Sequence, residues 1–128
     1  MSRTVEYVID LANAEVVTLN HRRHHQAHAR MIRPLRELGL LTVRQRRDRP
    51  RFDAADLTVR IGWPDRRRRD AHNLMPTLKA LIDGMVDAGL LPDDHDRHLT
   101  GPDLRPYVEG RQGRVVLTFT FTEREPTP

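Results

Sequence analysis

The sequence predicts an α+β fold: one domain over residues 1–128, with a small mixed β-sheet and two main helices packed on it. Three observations predict this. Thr4–Leu11 and Leu57–Trp63 carry apolar residues at every second position, the period of a half-buried strand. Ala27, Met31, Leu35 and Leu38, and later Leu74, Leu78, Leu81, Ile82 and Met85, recur at helical spacing and so line one face each. Val115–Thr122 then returns to strand texture, so strands flank the helices along the chain.

The first strand places Val5, Tyr7 and Ile9 on one side. After Asn20 a long helix begins, and Pro34 inside its stripe predicts a kink or break, because proline lacks the backbone donor. Arg44–Arg51 is charged, closes on Pro50 and reads as a loop. The second strand ends at Pro64. The second helix begins at Asn73 as N-cap, tolerates Pro76 in its first turn and stops at Gly89. Asp93, Asp94, His95 and Asp96 make an acidic turn. At the C-terminal end, Tyr107–Glu109 is expected to pair with Val115–Thr122 across a Gly110–Gly113 turn, and Glu125–Pro128 to fray.

Composition narrows the function. Apolar residues make up 38% and aromatics 5%, and no stretch approaches the roughly 20 apolar residues of a membrane helix. The N-terminal residues alternate charged and apolar types and predict no leader, so a cytoplasmic protein is expected. With no cysteine there is no disulfide, thiolate zinc site or cysteine nucleophile. No glycine-rich phosphate loop points to a small-molecule organic cofactor. Residues 1–69 carry 16 basic and 8 acidic side chains, whereas residues 70–128 carry 6 and 10. Such asymmetry suits a polyanion bound by one part. Lys79 is the only lysine; arginine-biased codon usage accounts for much of that, but not for where the lysine stands.

The chemistry concentrates between Arg66 and Asp96. Arg66, Arg67, Arg68 and Arg69 form a run suited to phosphate, since guanidinium pairs bidentately with it. Asp70 follows at a strand-to-helix junction. Lys79 and Asp83, four apart, share a helix face, with Asp87 one turn further. Should the chain after Gly89 fold back, Asp93 and Asp94 could approach Asp70. Gathered carboxylates repel, and a hard divalent cation relieves the repulsion. Carboxylates, arginines and a lysine are the parts that metal-assisted phosphodiester cleavage uses. Each part also has an ordinary reading as a solvated loop, surface ion pair or acidic turn.

The ordered series Arg67-Arg68-Arg69-Asp70-Ala71-His72-Asn73-Leu74, Lys79-Ala80-Leu81-Ile82-Asp83-Gly84, Ala88-Gly89-Leu90 and Asp93-Asp94 resembles the RusA-like Holliday-junction resolvases. Their pattern runs basic residues, Asp-x-Asp-Asn, lysine, Asp-Gly or Asp-Ala, Ala-Gly, Asp-Asp. The resemblance is tight over about 30 residues. It implies a homodimeric, magnesium-dependent endodeoxyribonuclease that cuts four-way DNA junctions in recombination and repair, of a kind often carried by phages. It further implies Asp70 and Asp94 as metal-site acids with Asp93 adjoining, Lys79 on the scissile phosphate, Asn73 as the motif asparagine and Asp83 positioning Lys79. Two positions depart. Lys79 follows Asn73 by six residues where three is usual, a shift of about one helical turn on the same face. His72 stands where the second aspartate is expected; it is a poor magnesium ligand that manganese accepts.

Outside this segment, His21, His24, His25 and His28 fall at helical spacing, and Arg22, Arg23 and Arg30 beside them suit DNA phosphates better than the histidines suit zinc. Trp63 reads as core or edge packing. A branched-DNA-binding protein without catalysis, and an interaction protein without DNA specificity, are the alternatives.

Overall fold

The computed structural model describes residues 3–19, 25–107 and 110–128, with the side chains of residues 25–27, 106 and 107 outside that description. The elements run β1 (Thr4–Ala12), a 3-10 turn at Asn13–Glu15, α1 (His25–Arg44), β2 (Ala55–Gly62), a second 3-10 turn at Ala71–Leu74, α2 (Met75–Asp87), β3 (Leu99–Tyr107) and β4 (Arg114–Glu123). The four strands form one mixed sheet in the order β1-β4-β2-β3: β4 lies antiparallel to both β1 and β2, and β3 lies parallel to β2. The expected α+β architecture is present.

Strand alternation decides which face is buried. Val5, Tyr7, Ile9 and Leu11 of β1, Leu57, Val59 and Ile61 of β2, and Val115, Leu117, Phe119 and Phe121 of β4 point to one side and form one core with Leu35 and Val43 of α1 and Leu78, Leu81 and Met85 of α2. The other face carries Glu6, Val8, Arg60, Thr118 and Thr120, and Val8 is exposed there. All five positions expected for the second helix stripe, Leu74, Leu78, Leu81, Ile82 and Met85, are buried. Of the first stripe Leu35 is buried and Met31 and Leu38 are partly buried against the core, the Ala27 side chain lying outside the description.

Three expectations need correcting. Tyr107 makes no hairpin with β4, and Val108 and Glu109 of the expected strand lie outside the described residues. β4 is the second strand in the order, both of its edges are taken by β1 and β2, and β3 instead pairs with β2 at the sheet edge. β3 is hidden in the sequence because Gly101, Pro102, Asp103 and Pro106 are poor strand residues. An edge position tolerates them, since only one side of the strand is paired. Gly101 is required: its φ is +109°, and a Cβ there would come 2.4 Å from the Leu57 carbonyl oxygen, beside the register shift between Asp56 and Thr58. Second, no break occurs at Pro34: α1 continues through it, and its exposed position lets solvent satisfy the carbonyl the proline leaves free. Third, the C-terminal residues are tied down: Arg124 donates to the carbonyls of Asp96, Arg97 and Glu125, and Thr127 N–H donates to Arg97 O.

α2 is anchored to the segment after β1 by Thr77. This fully buried hydroxyl accepts from Val17 N–H at 2.8 Å and donates to Val17 C=O at 2.7 Å. Thr77→Val keeps the shape but strands both Val17 groups, and is expected to cost about 2 kcal/mol. Thr77→Ser keeps both bonds and loses only a methyl, about 1 kcal/mol. Denaturant melts should rank serine above valine, although valine is the more apolar residue.

Candidate active site

Trp63 to Asn73 bridges β2 to α2 and carries the arginine run. Its organising residue is Asp65, which sequence reasoning missed. The Asp65 carboxylate takes Arg69 at 2.5 and 3.0 Å, Arg67 at 3.1 and 3.2 Å, and the Arg67 backbone N–H at 2.9 Å. Hydrogen bonds from Arg69, then Arg67, hold its carboxyl well below the usual carboxylate range. The signal was present as an acid two and four residues before two arginines. Arg69 also lies over the Trp63 ring, its guanidinium carbon 5.2 Å from the centroid, so Trp63 is half-buried under a cation. Arg66 and Arg68 are exposed and make no ion pair among the described residues, so of the four they alone keep free charge.

Asp70, not Asn73, caps the helical segment. Its backbone is extended (φ −100°, ψ 116°), and its Oδ1 accepts from His72 N–H at 3.0 Å, closing the 3-10 turn Ala71–Leu74 that leads into α2. The His72 ring nitrogen Nδ1 lies 3.4 Å from the same oxygen, and both side chains are largely exposed. Among the described residues Asn73 makes only backbone bonds: its N–H donates to Asp70 O and its carbonyl accepts from Leu19 N–H.

The second half of the site is built from α2 and the chain that follows it. Gly89 adopts φ +91° and ends the helix as expected, with Gly89 N–H on Val86 O and Leu90 N–H on Met85 O. Leu90 and Leu91 are buried, which turns the chain back along α2. There Asp94 meets Lys79. The Lys79 ammonium donates to the Asp94 carboxylate and, at 2.9 Å, to Asp83 Oδ1. Hydrogen bonds that Lys79 donates to Asp94, then Asp83, push Lys79 up, and the Lys79 bond holds Asp94 down. Asp93 turns inward on its own loop, its Oδ1 accepting from Asp94 N–H at 2.7 Å, with its other oxygen 3.9 Å from His95 Nε2. Asp87, one turn beyond Asp83 on α2 as expected, is clamped by Arg36 of α1 at 2.6 and 2.9 Å.

Lys79, Asp83 and Asp94, expected from the sequence, thus stand together. Asp70 and Asp94 share no partner: one caps a turn, and the other holds a lysine. Among the described residues no three histidine or acidic side chains come close enough to hold a metal ion, so Asp70, His72, Asp93 and Asp94 as arranged do not make one site. Arg22, Arg23, His21 and His24 lie outside the described residues. No helix among the described residues is long and apolar enough to cross a membrane. A scan of protein-family models and a search of curated proteins both found no match to this chain.

Proposed function

We propose that this chain is a structure-specific endodeoxyribonuclease that acts on four-way DNA junctions as a homodimer. The observation that carries the reading is the Lys79–Asp94 contact across fifteen residues. It couples α2 to the acidic turn in the order the resolvase-like series requires, with exposed Asp70 and the free charges of Arg66 and Arg68 at the other end of the same segment. In this reading Arg66 and Arg68 bind backbone phosphate, Lys79 offsets charge on the phosphate under attack, and Asp83 positions Lys79. The two-fold symmetry of a homodimer matches the approximate two-fold symmetry of a four-way junction and provides paired cuts. Magnesium, or manganese, is the cofactor this reading implies. Such ions take one or two carboxylates and draw their remaining ligands from water and substrate phosphate.

A second reading, binding of branched DNA without cleavage, is favoured by one observation: Asp70 is committed to a cap with His72 at the position of the expected second acid. A labelled four-way junction with a linear duplex control, in magnesium and in manganese, separates the two. Junction-specific cutting that Asp70→Asn abolishes supports the nuclease. Tight junction binding with no cutting in either metal supports the binding protein. Binding equal on junction and duplex would overturn both.

Two further outcomes are expected. The double variant Arg66→Ala/Arg68→Ala should bind junction more weakly and lower the slope of log affinity against log salt by about 2, because two phosphate contacts stop releasing counterions. Arg67→Ala should lower it less, since Arg67 is already paired with Asp65. Second, His72→Asp should raise magnesium-supported cleavage severalfold, as it adds a hard oxygen donor beside Asp70. His72 is exposed, so thermal melts should show the fold unchanged. No gain in magnesium would mean that His72 does not limit the site.

A further inference from the structure

A pocket of about 270 Å³ opens beside Asp70, between the arginine segment and the turn after β1. Its floor is apolar: Val16, Leu74 and Val115 are buried there. One wall is the Trp63 indole, with Arg69, which also lines the pocket and is held by Asp65, over its ring. At its rim stand Asn13 and Asn73, whose side-chain amides make no hydrogen bond among the described residues although their backbones do. Arg68, without an ion-pair partner among the described residues, and Asp70 complete the mouth. The volume falls just below the roughly 300–1,000 Å³ typical of drug-sized ligands, which suits one planar ring system. A slot with an apolar floor, an indole wall, two amides that can each donate and accept, and a guanidinium at its mouth has the chemistry of a nucleobase site: stacking on the ring, pairing at the base edge, and a cation for the attached phosphate.

We propose that this pocket receives one unstacked nucleobase of the bound DNA strand, placing the adjoining phosphate beside Asp70. The proposal rests on the nucleic-acid reading of the arginine segment and adds to it a residue-level account of which nucleotide the protein selects. Base pairs at a branch point are the ones most easily opened, so a base pocket next to the phosphate-binding segment would favour branched DNA over duplex.

Trp63 is the only tryptophan, so its fluorescence reports on this pocket alone. The full chain is titrated with a labelled four-way junction, with the same junction made abasic at the branch nucleotides, with free deoxynucleoside monophosphates, and with inorganic phosphate. Anisotropy of the labelled DNA follows binding independently. The expected result is Trp63 quenching by the intact junction and none by phosphate or by the abasic junction, although the latter still binds. Affinity for the abasic junction should be lower by on the order of 10-fold. Asn13→Ala, at an exposed position where the fold is expected to persist, should reduce the difference between intact and abasic DNA. Equal quenching and affinity for both junctions would overturn the pocket while leaving the nuclease reading intact. Quenching by free monophosphates but not by DNA would reassign the pocket to free nucleotides and overturn the strand placement. Absence of any DNA binding by anisotropy would overturn this proposal together with the reading it rests on.

Discussion

Replacing Gly84 with alanine is expected to destabilise the protein by about 3 kcal/mol, and replacing it with valine to abolish cooperative unfolding altogether. A Cβ on Gly84 would stand 1.9 Å from the Arg36 carbonyl oxygen and 2.7 Å from the Leu40 nitrogen. From the opposite helix, a Cβ on Gly39 would stand 2.1 Å from the Leu81 carbonyl oxygen. The two helices therefore meet backbone to backbone, and no side-chain rotation can relieve an added methyl. The helices must separate, and Leu35, Leu78 and Leu81 between helices and sheet lose contact together. Against this, alanine gains about 1 kcal/mol of helix propensity over glycine. Overpacking typically costs 1–3 kcal/mol when side chains can adjust, and here the obstacle is main chain, so the clash outweighs the gain. Gly113→Ala is the comparison: its φ of +74° disfavours a side chain, but no atom lies within 4 Å of the added carbon. It should cost about 1 kcal/mol. A Gly84→Ala melt no lower than that of Gly113→Ala would mean that the helices are not packed this closely.

Gly84 also marks where sequence pattern and physical cause part. In the sequence it belongs to an Asp-Gly pair beside candidate site residues, and nothing local shows that its role is helix contact. The elements with regular period were legible: β1, β2, β4 and both helix stripes follow from alternation or three-and-four spacing, because burial of one face imposes it. β3 was not, because an edge strand needs only half its backbone paired and so can hold two prolines and a glycine. The pairing of β4 was not legible either. A turn at Gly113 does form, with Arg114 N–H on Arg111 O, but a turn fixes only its own residues and not which strand lies alongside. Within the site, Lys79 and Asp83 were legible as an i,i+4 pair. The arrival of Asp94 depended on the chain reversing after Gly89, and the buried Leu90 and Leu91 that enforce it look in sequence like an ordinary helix end. Asp65 was hidden among arginines whose number drew attention to charge rather than to its neutralisation.

Replacing Lys79 with methionine is expected to lower junction cleavage by on the order of 10²–10³-fold, the usual cost of removing one group that stabilises transition-state charge. The same change should cost only about 1 kcal/mol of stability, because the lysine is 58% exposed and its ion pairs are screened by water. That separation of magnitudes is the test: an ordinary surface ion pair predicts the small stability loss and an unchanged cutting rate. The pH dependence adds a second check. Lys79 is held above its ordinary value by Asp94 and then Asp83, so its contribution to stability is complete below about pH 10 and is lost as the pH rises through the folded value. Asp94 is held below its ordinary value by Lys79, so its contribution is complete above about pH 4 and is lost as the pH falls through the folded value. Between those limits both groups stay charged, and stability attributable to the pair should be flat. Asp83→Asn leaves Lys79 with Asp94 alone and should weaken cleavage by no more than about 10-fold, a smaller loss than removing the charge itself. Single-turnover cutting at saturating protein, beside thermal melts of each variant, measures both quantities. Rates for Lys79→Met within a few-fold of the unaltered protein would remove Lys79 from the catalytic role and leave the segment as a DNA-binding surface.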